Sequence, residues 1–462
     1  MKKVICLLFF FSLSQTAFSQ KNASVKYFSD GFLDTLQYRT FNYFWECVDP
    51  KTGLTPDRYP SLTFSSTAAI GFALTSYGIG VERKYISREA AADRVLTTIR
   101  YLYNLPQGDA MMGNAGYRGF YYHFLDFKTG TRFNKDIELS TIDTALLLAG
   151  ILFCQSYFDG EKGTERAIRA YADSVYRRID WQWLYAYPPL MSMGWYPDKG
   201  IHRSSWKGYD ESMILYILAL GSPTSPIPSD AWNGFTRTSK WLEYYGQEFV
   251  SFGPLFGHQY SHVWIDFRGI KDSYMREKGI DYFENSRRAT ITHQLYAKKN
   301  PKKMIGYSEY IWGFTACDGP ADEQRTINGI ERNFFSYGAR GVSADWVNDD
   351  GTIAPTAAGG SIAFAPEICV PTLKAMRDQI PGLWTKYGFL DAFNQSYITN
   401  KTPNGWIDHD YLGIDQGPIV IMIENLRSEL VWNVMKKNPY IYNGLKRAGF
   451  TGGWLEKKYQ KK

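Results

Sequence analysis

Trp206-Lys207-Gly208-Tyr209-Asp210-Glu211 closes a loop, and Ser212-Met213-Ile214-Leu215-Tyr216-Ile217-Leu218-Ala219-Leu220 follows it directly. A segment that is apolar on nearly every side reads as a buried helix. Asp210 fits its N-cap, and Glu211 then falls in its first turn. Two acids therefore stand where a loop dives into the core.

The same arrangement recurs along the chain. Ser140-Thr141-Ile142-Asp143 is a variant capping box before the ten-residue apolar run Ala145 to Cys154. Pro366-Glu367 opens a helix running to about Gln379, with proline at the first helical position. Asp415-Gln416-Gly417 precedes Pro418, which reads as the start of the last buried helix. Between these lie amphipathic segments: Asp30 to Val48, a stretch capped by Ser87, Thr164 to Asp180, and a single long helix from Asp272 to Asn300. Ser65-Ser66-Thr67 caps a further helix from Ala68 to about Gly78. Buried and amphipathic helices in alternation predict an inner and an outer ring. Parallel inner helices would open all their N-termini at one mouth.

Three regions break the helical pattern. Gly116 to Phe127, with the turn Lys128-Thr129-Gly130-Thr131, reads as a β-hairpin carrying Arg118. Residues 183–208 form a long loop with Trp195, His202, Arg203 and Trp206. Residues 304–362 are mostly loop and hold Glu309, Trp312 and Trp346. Loops of this length are usually functional. A further loop carries Trp406-Ile407-Asp408-His409-Asp410. The expectation is all-α architecture, with a small hairpin and long loops on the active face.

Composition narrows the chemistry. Hydrophobic residues make up 44% and charged residues 21% of the 462-residue chain, enough for a large core. Aromatics reach 17%, with 34 Tyr and 14 Trp, many of them in polar loops. Flat amphipathic rings suit the flat faces of sugars. The formal charge of +6 is carried by the ends: Lys2 and Lys3, and the tail Lys457, Lys458, Lys461 and Lys462. The body is balanced and shows no basic stripe for nucleic acid. Met1 to Ser19 has the charged start, short apolar run and small-residue end of a signal peptide, so residues 20–462 are expected as one exported domain, periplasmic or secreted. No other segment reads as a membrane span. Cys47, Cys154, Cys317 and Cys369 lack metal-ligand spacing. His258 and His262 have such spacing, but no glutamate follows His258, and nearby Gly and Pro favour a loop. Asp345 to Gly351 is acidic without EF-hand spacing. Neither metal nor cofactor is expected.

A mouth lined with acids and aromatics suits glycoside hydrolysis, in which one carboxylic acid protonates the leaving oxygen and a second carboxylate activates water. Glu211 is the candidate acid. Asp415 is the first candidate base, because a helix N-terminus favours an ionised carboxylate; Asp410 and Asp143 follow. Tyr209, Trp206, Trp195, Trp312, Trp346 and Trp406 are candidate stacking platforms, and Arg118, His202, Arg203, Glu309 and Glu367 candidate partners for hydroxyls. The expected partner is an oligo- or polysaccharide, bound by a monomer. Rival readings are a non-catalytic glycan-binding protein and a toroidal polysaccharide lyase.

Gly208-Tyr209-Asp210-Glu211 with Gly221-Ser222-Pro223-Thr224, Ala365-Pro366-Glu367, and Gly413-Ile414-Asp415-Gln416-Gly417-Pro418 before Ile423-Glu424-Asn425 resemble the glucoamylase-like domain of bacterial exported proteins. That resemblance covers about residues 200–445. Over its whole length the chain is similar to glycoside hydrolase family 144. The resemblance implies an (α/α)6 toroid and metal-free, inverting hydrolysis of β-1,2-glucan, either internally or from chain ends. It implies Asp143, Glu211 and the acids of 408–415 as candidate catalytic residues. The domain name instead points to an α-glucan glucoamylase, an alternative kept open.

Overall fold

The computed structural model describes Tyr27 and residues 29–456. The signal-peptide reading and the lysine tail lie outside the described residues. Most regular structure is helical: α1 (Gly31–Glu46), α2 (Thr67–Glu82), α3 (Arg88–Asn104), α4 (Thr141–Tyr157), α5 (Gly163–Arg177), α6 (Met213–Gly221), α7 (Phe256–Trp264), α8 (Tyr282–Lys299), α9 (Pro366–Gln379), α10 (Gly413–Arg427) and α11 (Pro439–Arg447). No helix among the described residues is long and apolar enough to cross a membrane.

Helices α2, α4, α6, α7 and α10 are buried over nearly their whole length, whereas α1, α3, α5, α8, α9 and α11 bury one side. The buried helices pack on one another: α2 against both α4 and α10, α4 against α6, α6 against α7, and α7 against α10. The one-sided helices cover them, α1 on α2 and α10, α5 on α4, and α8 on α7.

Two crossings are made through glycine. A Cβ on Gly150 would stand 2.1 Å from the Gly71 carbonyl oxygen, and one on Gly71 would stand 2.2 Å from the Leu146 oxygen. The α2 and α4 backbones therefore touch directly. The α6–α11 crossing repeats this, with Cβ positions on Gly221 and Gly444 at 2.1 and 2.0 Å from the Tyr440 and Ile217 oxygens. Glycine weakens an isolated helix by about 1 kcal/mol, so its use here marks a closeness no larger residue permits. At the opposite end from the helix starts, the buried Glu424 accepts from Arg83 Nε at 2.7 Å and Gln37 Nε2 at 2.8 Å, tying α10 to α2 and α1.

The starts of the buried helices are stitched together by short strands and caps. Ser66 and Ser140 cap α2 and α4. Ser65–Ser66 pairs with Phe124–Leu125, Leu139–Ser140 with Gly194–Tyr196, and Arg58–Tyr59 with Tyr411–Leu412. The Thr141 hydroxyl donates to the Ser192 carbonyl, and the Gly413 N–H to the Asp57 carbonyl. Gly116–Tyr117 and Phe120–Tyr121 form a tight hairpin whose turn residues, Arg118 and Gly119, both have positive φ.

Several boundaries differ from the sequence expectation, each for a local reason. Asp210 does not cap α6. It accepts from the N–H and hydroxyl of Ser212, closing a turn one step earlier, so Glu211 sits in that turn outside the helix. The long helix expected over 272–300 is split, because Gly279 turns left-handed (φ 79°) and Asp281 caps a new start for α8. Helix α10 begins at Gly413, not at Pro418, because the strand pairing of Tyr411–Leu412 orients the chain before the proline is reached. His258 and His262 lie on α7, not in a loop. Their Nε2 atoms meet the Phe252 carbonyl and the Ser286 hydroxyl, each at 3.1 Å, and burial keeps both rings neutral.

Gly150→Ala should destabilise the fold by about 1–3 kcal/mol through overpacking, read as a lower Tm by calorimetry. Gly163→Ala, at a position with nothing within 4 Å of its Cβ, should change stability by no more than about 0.5 kcal/mol.

Candidate active site

Four of the predicted acids stand at or near the starts of buried helices. Asp143 lies in the first turn of α4 and Asp415 in the first turn of α10. Glu211 lies two residues before α6, and Asp410 leads into the Tyr411–Leu412 strand. They form two groups around one centre.

The first group is Glu211, Asp210, Asp143, His123 and Glu138. Glu211 is half-buried. Burial, reinforced by the charges of Asp210 and Asp143, pushes its carboxyl well above the ordinary range. Burial also raises Asp210 to about 6, against the hydrogen bonds from Ser212. Asp143 is 4% exposed; burial raises it, while His123 and the Ser140 hydroxyl (2.5 Å) pull the other way. His123 reaches Asp143 Oδ1 through Nε2 at 3.5 Å and Glu138 Oε1 through Nδ1 at 2.7 Å. Burial opposes its imidazolium, but the two carboxylates outweigh that and raise it to about 9.

The second group joins Asp415 and Asp410 to Asp57, Arg58, Asp318, Asp391 and Asp408. Arg58 Nη1 bonds Asp318 Oδ2 at 2.7 Å, and its Nε lies 3.3 Å from Asp57 Oδ2. Asp391 Oδ2 accepts the Asp318 N–H, and Asp410 Oδ1 the Ser61 N–H. Asp415 meets Asp391, and Asp318 meets Asp408, as carboxyl pairs that must share protons. Burial and neighbouring carboxylates push Asp415 and Asp408 to about 7 and Asp391 well beyond its usual range. The expectation that the α10 terminus keeps Asp415 strongly ionised is therefore corrected. A helix terminus offers about 0.3–1 kcal/mol, whereas full burial can shift a carboxyl by about 3–5 pKa units. Oxygens of Asp318, Asp391 and Asp408 also fall within 4.8 Å of one another, a spacing compatible with a hard cation. Shared protons offset the same charge.

The two groups face the same space. Tyr260 is within electrostatic reach of Asp415, Glu211 and Asp391, and Asp57 within reach of His123 and Asp318. Tyr337, 55% exposed, lies within electrostatic reach of Asp415, Asp57 and Asp391. A groove of about 520 Å³ flanks the acids, lined in part by Tyr59, Tyr387, Ile407, Asp408, His409 and Tyr411.

The aromatic and polar candidates divide sharply. Trp346 is 41% exposed and Trp406 half-buried, so both offer ring surface. Arg203 is exposed, and His202 faces Glu138. Trp312 is fully enclosed and belongs to the core. Tyr209 stacks on Tyr282 at 5.7 Å, Trp195 packs on Tyr117 and Trp183, and the Trp206 indole donates to Thr141 Oγ1 at 2.9 Å; all three are at most 9% exposed. These four are corrected from platforms to packing and loop anchors. Arg118 is committed to Asp180 and the Trp183 ring, and Glu309 to Lys298 on the surface. Glu367 opens the one-sided α9 and pairs with Arg287, whose Nη1 also bonds the Phe364 carbonyl; Phe364 packs on His262 near the C-terminal end of α7. Sequence reasoning missed Asp57, Arg58, His123, Glu138, Asp318 and Asp391. Each sits in an irregular or strand segment with no helix start to mark it.

A family model for Glycoamylase, described as "Putative glucoamylase", matches residues 203–439, just over half of the chain. A solved Bacteroides uniformis ATCC 8492 structure of the same description is 31% identical, covering 92% of this chain and 98% of its own with a TM-score of 0.79. The chain belongs to the Glycoamylase family. Other relatives of this Glycoamylase chain carry a more specific description. An endo-β-1,2-glucanase from Chitinophaga pinensis, solved with sophorotriose and glucose, is 27% identical with a TM-score of 0.78, covering 92% of this chain and 98% of its own. A Parabacteroides distasonis exo β-1,2-glucooligosaccharide sophorohydrolase (non-reducing end) is 27% identical over 473 residues. That match takes in 95% of this chain but only 60% of the length of the curated relative.

The raised carboxyls have a measurable consequence. The folded state keeps protons that an unfolded chain loses above about pH 4. Unfolding between about pH 4 and 7 therefore releases protons, and these groups oppose folding increasingly as pH rises through that window. Asp391→Asn, which keeps an acceptor for the Asp318 N–H, should raise Tm at about pH 8 by the equivalent of about 1 kcal/mol or more. The gain should vanish by about pH 4.

Proposed function

We propose that this chain is a glycoside hydrolase that cleaves β-1,2-glucan with inversion, working as an exported monomer. The mouth is read as one end of an (α/α)6 toroid, with α2, α4, α6, α7 and α10 and the short helix Pro355–Gly359 as its inner ring. The observation that carries the reading is Glu211: a half-buried carboxyl at the mouth, which burial and two flanking acids push towards its protonated form. That is the state a general acid needs near neutral pH. β-1,2-Glucan is taken from the relatives described as β-1,2-glucan hydrolases.

In this mechanism Glu211 gives its proton to the glycosidic oxygen as the bond to the anomeric carbon breaks. Asp415 takes a proton from the water that attacks the opposite face. Asp391 and Asp415 titrate as a pair that shares a proton, and Asp415, at the α10 terminus, is taken as its ionised member. Inverting hydrolases set acid and base about 6.5–9.5 Å apart, with room for that water. Asp143 has both oxygens engaged by Ser140 and His123, which favours a charge-setting role over that of base. Trp346, Tyr337 and Trp406 offer ring surface to glucosyl units.

Glu211→Gln should reduce hydrolysis of β-1,2-glucan about 10²–10⁴-fold, while sophoro-oligosaccharide still binds by calorimetry. Turnover near that of the unaltered protein removes Glu211 from the mechanism. Products from a panel of β-1,2-, β-1,3- and α-1,4-glucans should show release only from the first, with the α-anomer appearing first by NMR. Release from α-1,4-glucan instead would establish the glucoamylase reading. The acid limb of kcat/KM should fall near pH 7, set by the Asp391–Asp415 pair, not near the ordinary carboxylate range.

A further inference from the structure

His123 is neither the acid nor the base of the proposed reaction, yet it is held between two carboxylates at the mouth. Its ring stacks on Phe124, with centroids 3.8 Å apart and planes 20° apart. Its N–H donates to the Glu138 carbonyl at 2.9 Å, and its carbonyl accepts the Thr67 N–H at 3.1 Å. The two ring nitrogens point at carboxylates on either side, Glu138 at 2.7 Å and Asp143 at 3.5 Å. Asp143 in turn lies within electrostatic reach of Glu211.

Resting on the hydrolase reading, we propose that His123 is a positioning residue: its imidazolium, clamped between Glu138 and Asp143, holds Asp143 as an anion against Glu211 and so keeps the proton on Glu211 until the glycosidic oxygen takes it. Contacts run from Glu138 through His123 to Asp143, and charge carries the effect from Asp143 to Glu211. Buried Asp143 would otherwise favour its neutral form. A neutral Asp143 would cease to oppose ionisation of Glu211, which would then lose its proton at lower pH. The groups facing these residues are Asp57 beside His123, His202 and Tyr196 beside Glu138, Ser140 on Asp143, and Asp210 and Tyr260 beside Glu211.

The test is the pH profile of His123→Gln on β-1,2-gluco-oligosaccharide, with Glu138→Gln as a second variant and near-ultraviolet dichroism to check folding. His123→Gln should lower kcat about 10-fold or more with KM little changed, and move the basic limb down by about one pH unit. Glu138→Gln should move it the same way by less. In a Glu211→Gln background, His123→Gln should add little further loss, because both act on one step. In the unaltered protein, the His123 ring should remain protonated at about pH 8 by NMR, since its two carboxylate neighbours hold it up. An unmoved limb, additive losses or a neutral ring at that pH overturns the clamp. Near-normal turnover by Glu211→Gln would instead overturn the hydrolase reading on which the clamp rests.

Discussion

The carbonyl of Gly71 lies against the backbone of α4 at Gly150, and this contact fixes how α2 and α4 lie against each other. With no side chains between them, the two helices cannot slide or tilt without backbone collision. Their starts, capped by Ser66 and Ser140, are thereby held in register. The strand pair that joins Ser66 to Phe124 brings His123 beside Asp143. Placement of the first acid group thus follows from a helix crossing deeper in the core.

Packing also decides the charge states. Helix starts favour anions, and that preference would leave Asp415 a simple carboxylate. Desolvation and neighbouring acids exceed it, as the pairs Asp391–Asp415 and Asp318–Asp408 show. Arg58 reaches Asp57 and Asp318 within ion-pair distance. The remaining charge is held down by shared protons, and proton sharing is what gives two similar carboxyls different duties in acid–base chemistry. The first group solves the same problem with an imidazolium.

The buried helices were legible because a segment apolar on all sides loses least by sitting wholly inside the core, and α4 and α6 appear where the apolar runs lie. Asp143 and Glu211 were singled out because a cap or a loop end precedes such a run, and both stand near the starts of buried helices. The inference failed at Glu367, where proline at the first turn looks the same in a covering helix as in a buried one. It failed at Trp312, Trp206, Trp195 and Tyr209 because tryptophan and tyrosine in a polar loop can anchor that loop as readily as face a ligand. Asp318 and Asp391 had no helix start to give them a role, since short strand pairings far apart in sequence bring them to the cluster. His123 reads as one residue of an aromatic run until its two carboxylate neighbours are seen together.

The crowd of carboxylates at the mouth also acts on what approaches from solution. A neutral glucan feels little from this field, and its hydroxyls can donate to the anionic oxygens. A uronate-bearing polymer would meet repulsion from those acids that stay ionised, with Arg58 and His123 the cations beside them. In the proposed hydrolase, the same negative charge that raises the acids at the mouth would double as a sorting field, favouring uncharged chains over polyanions.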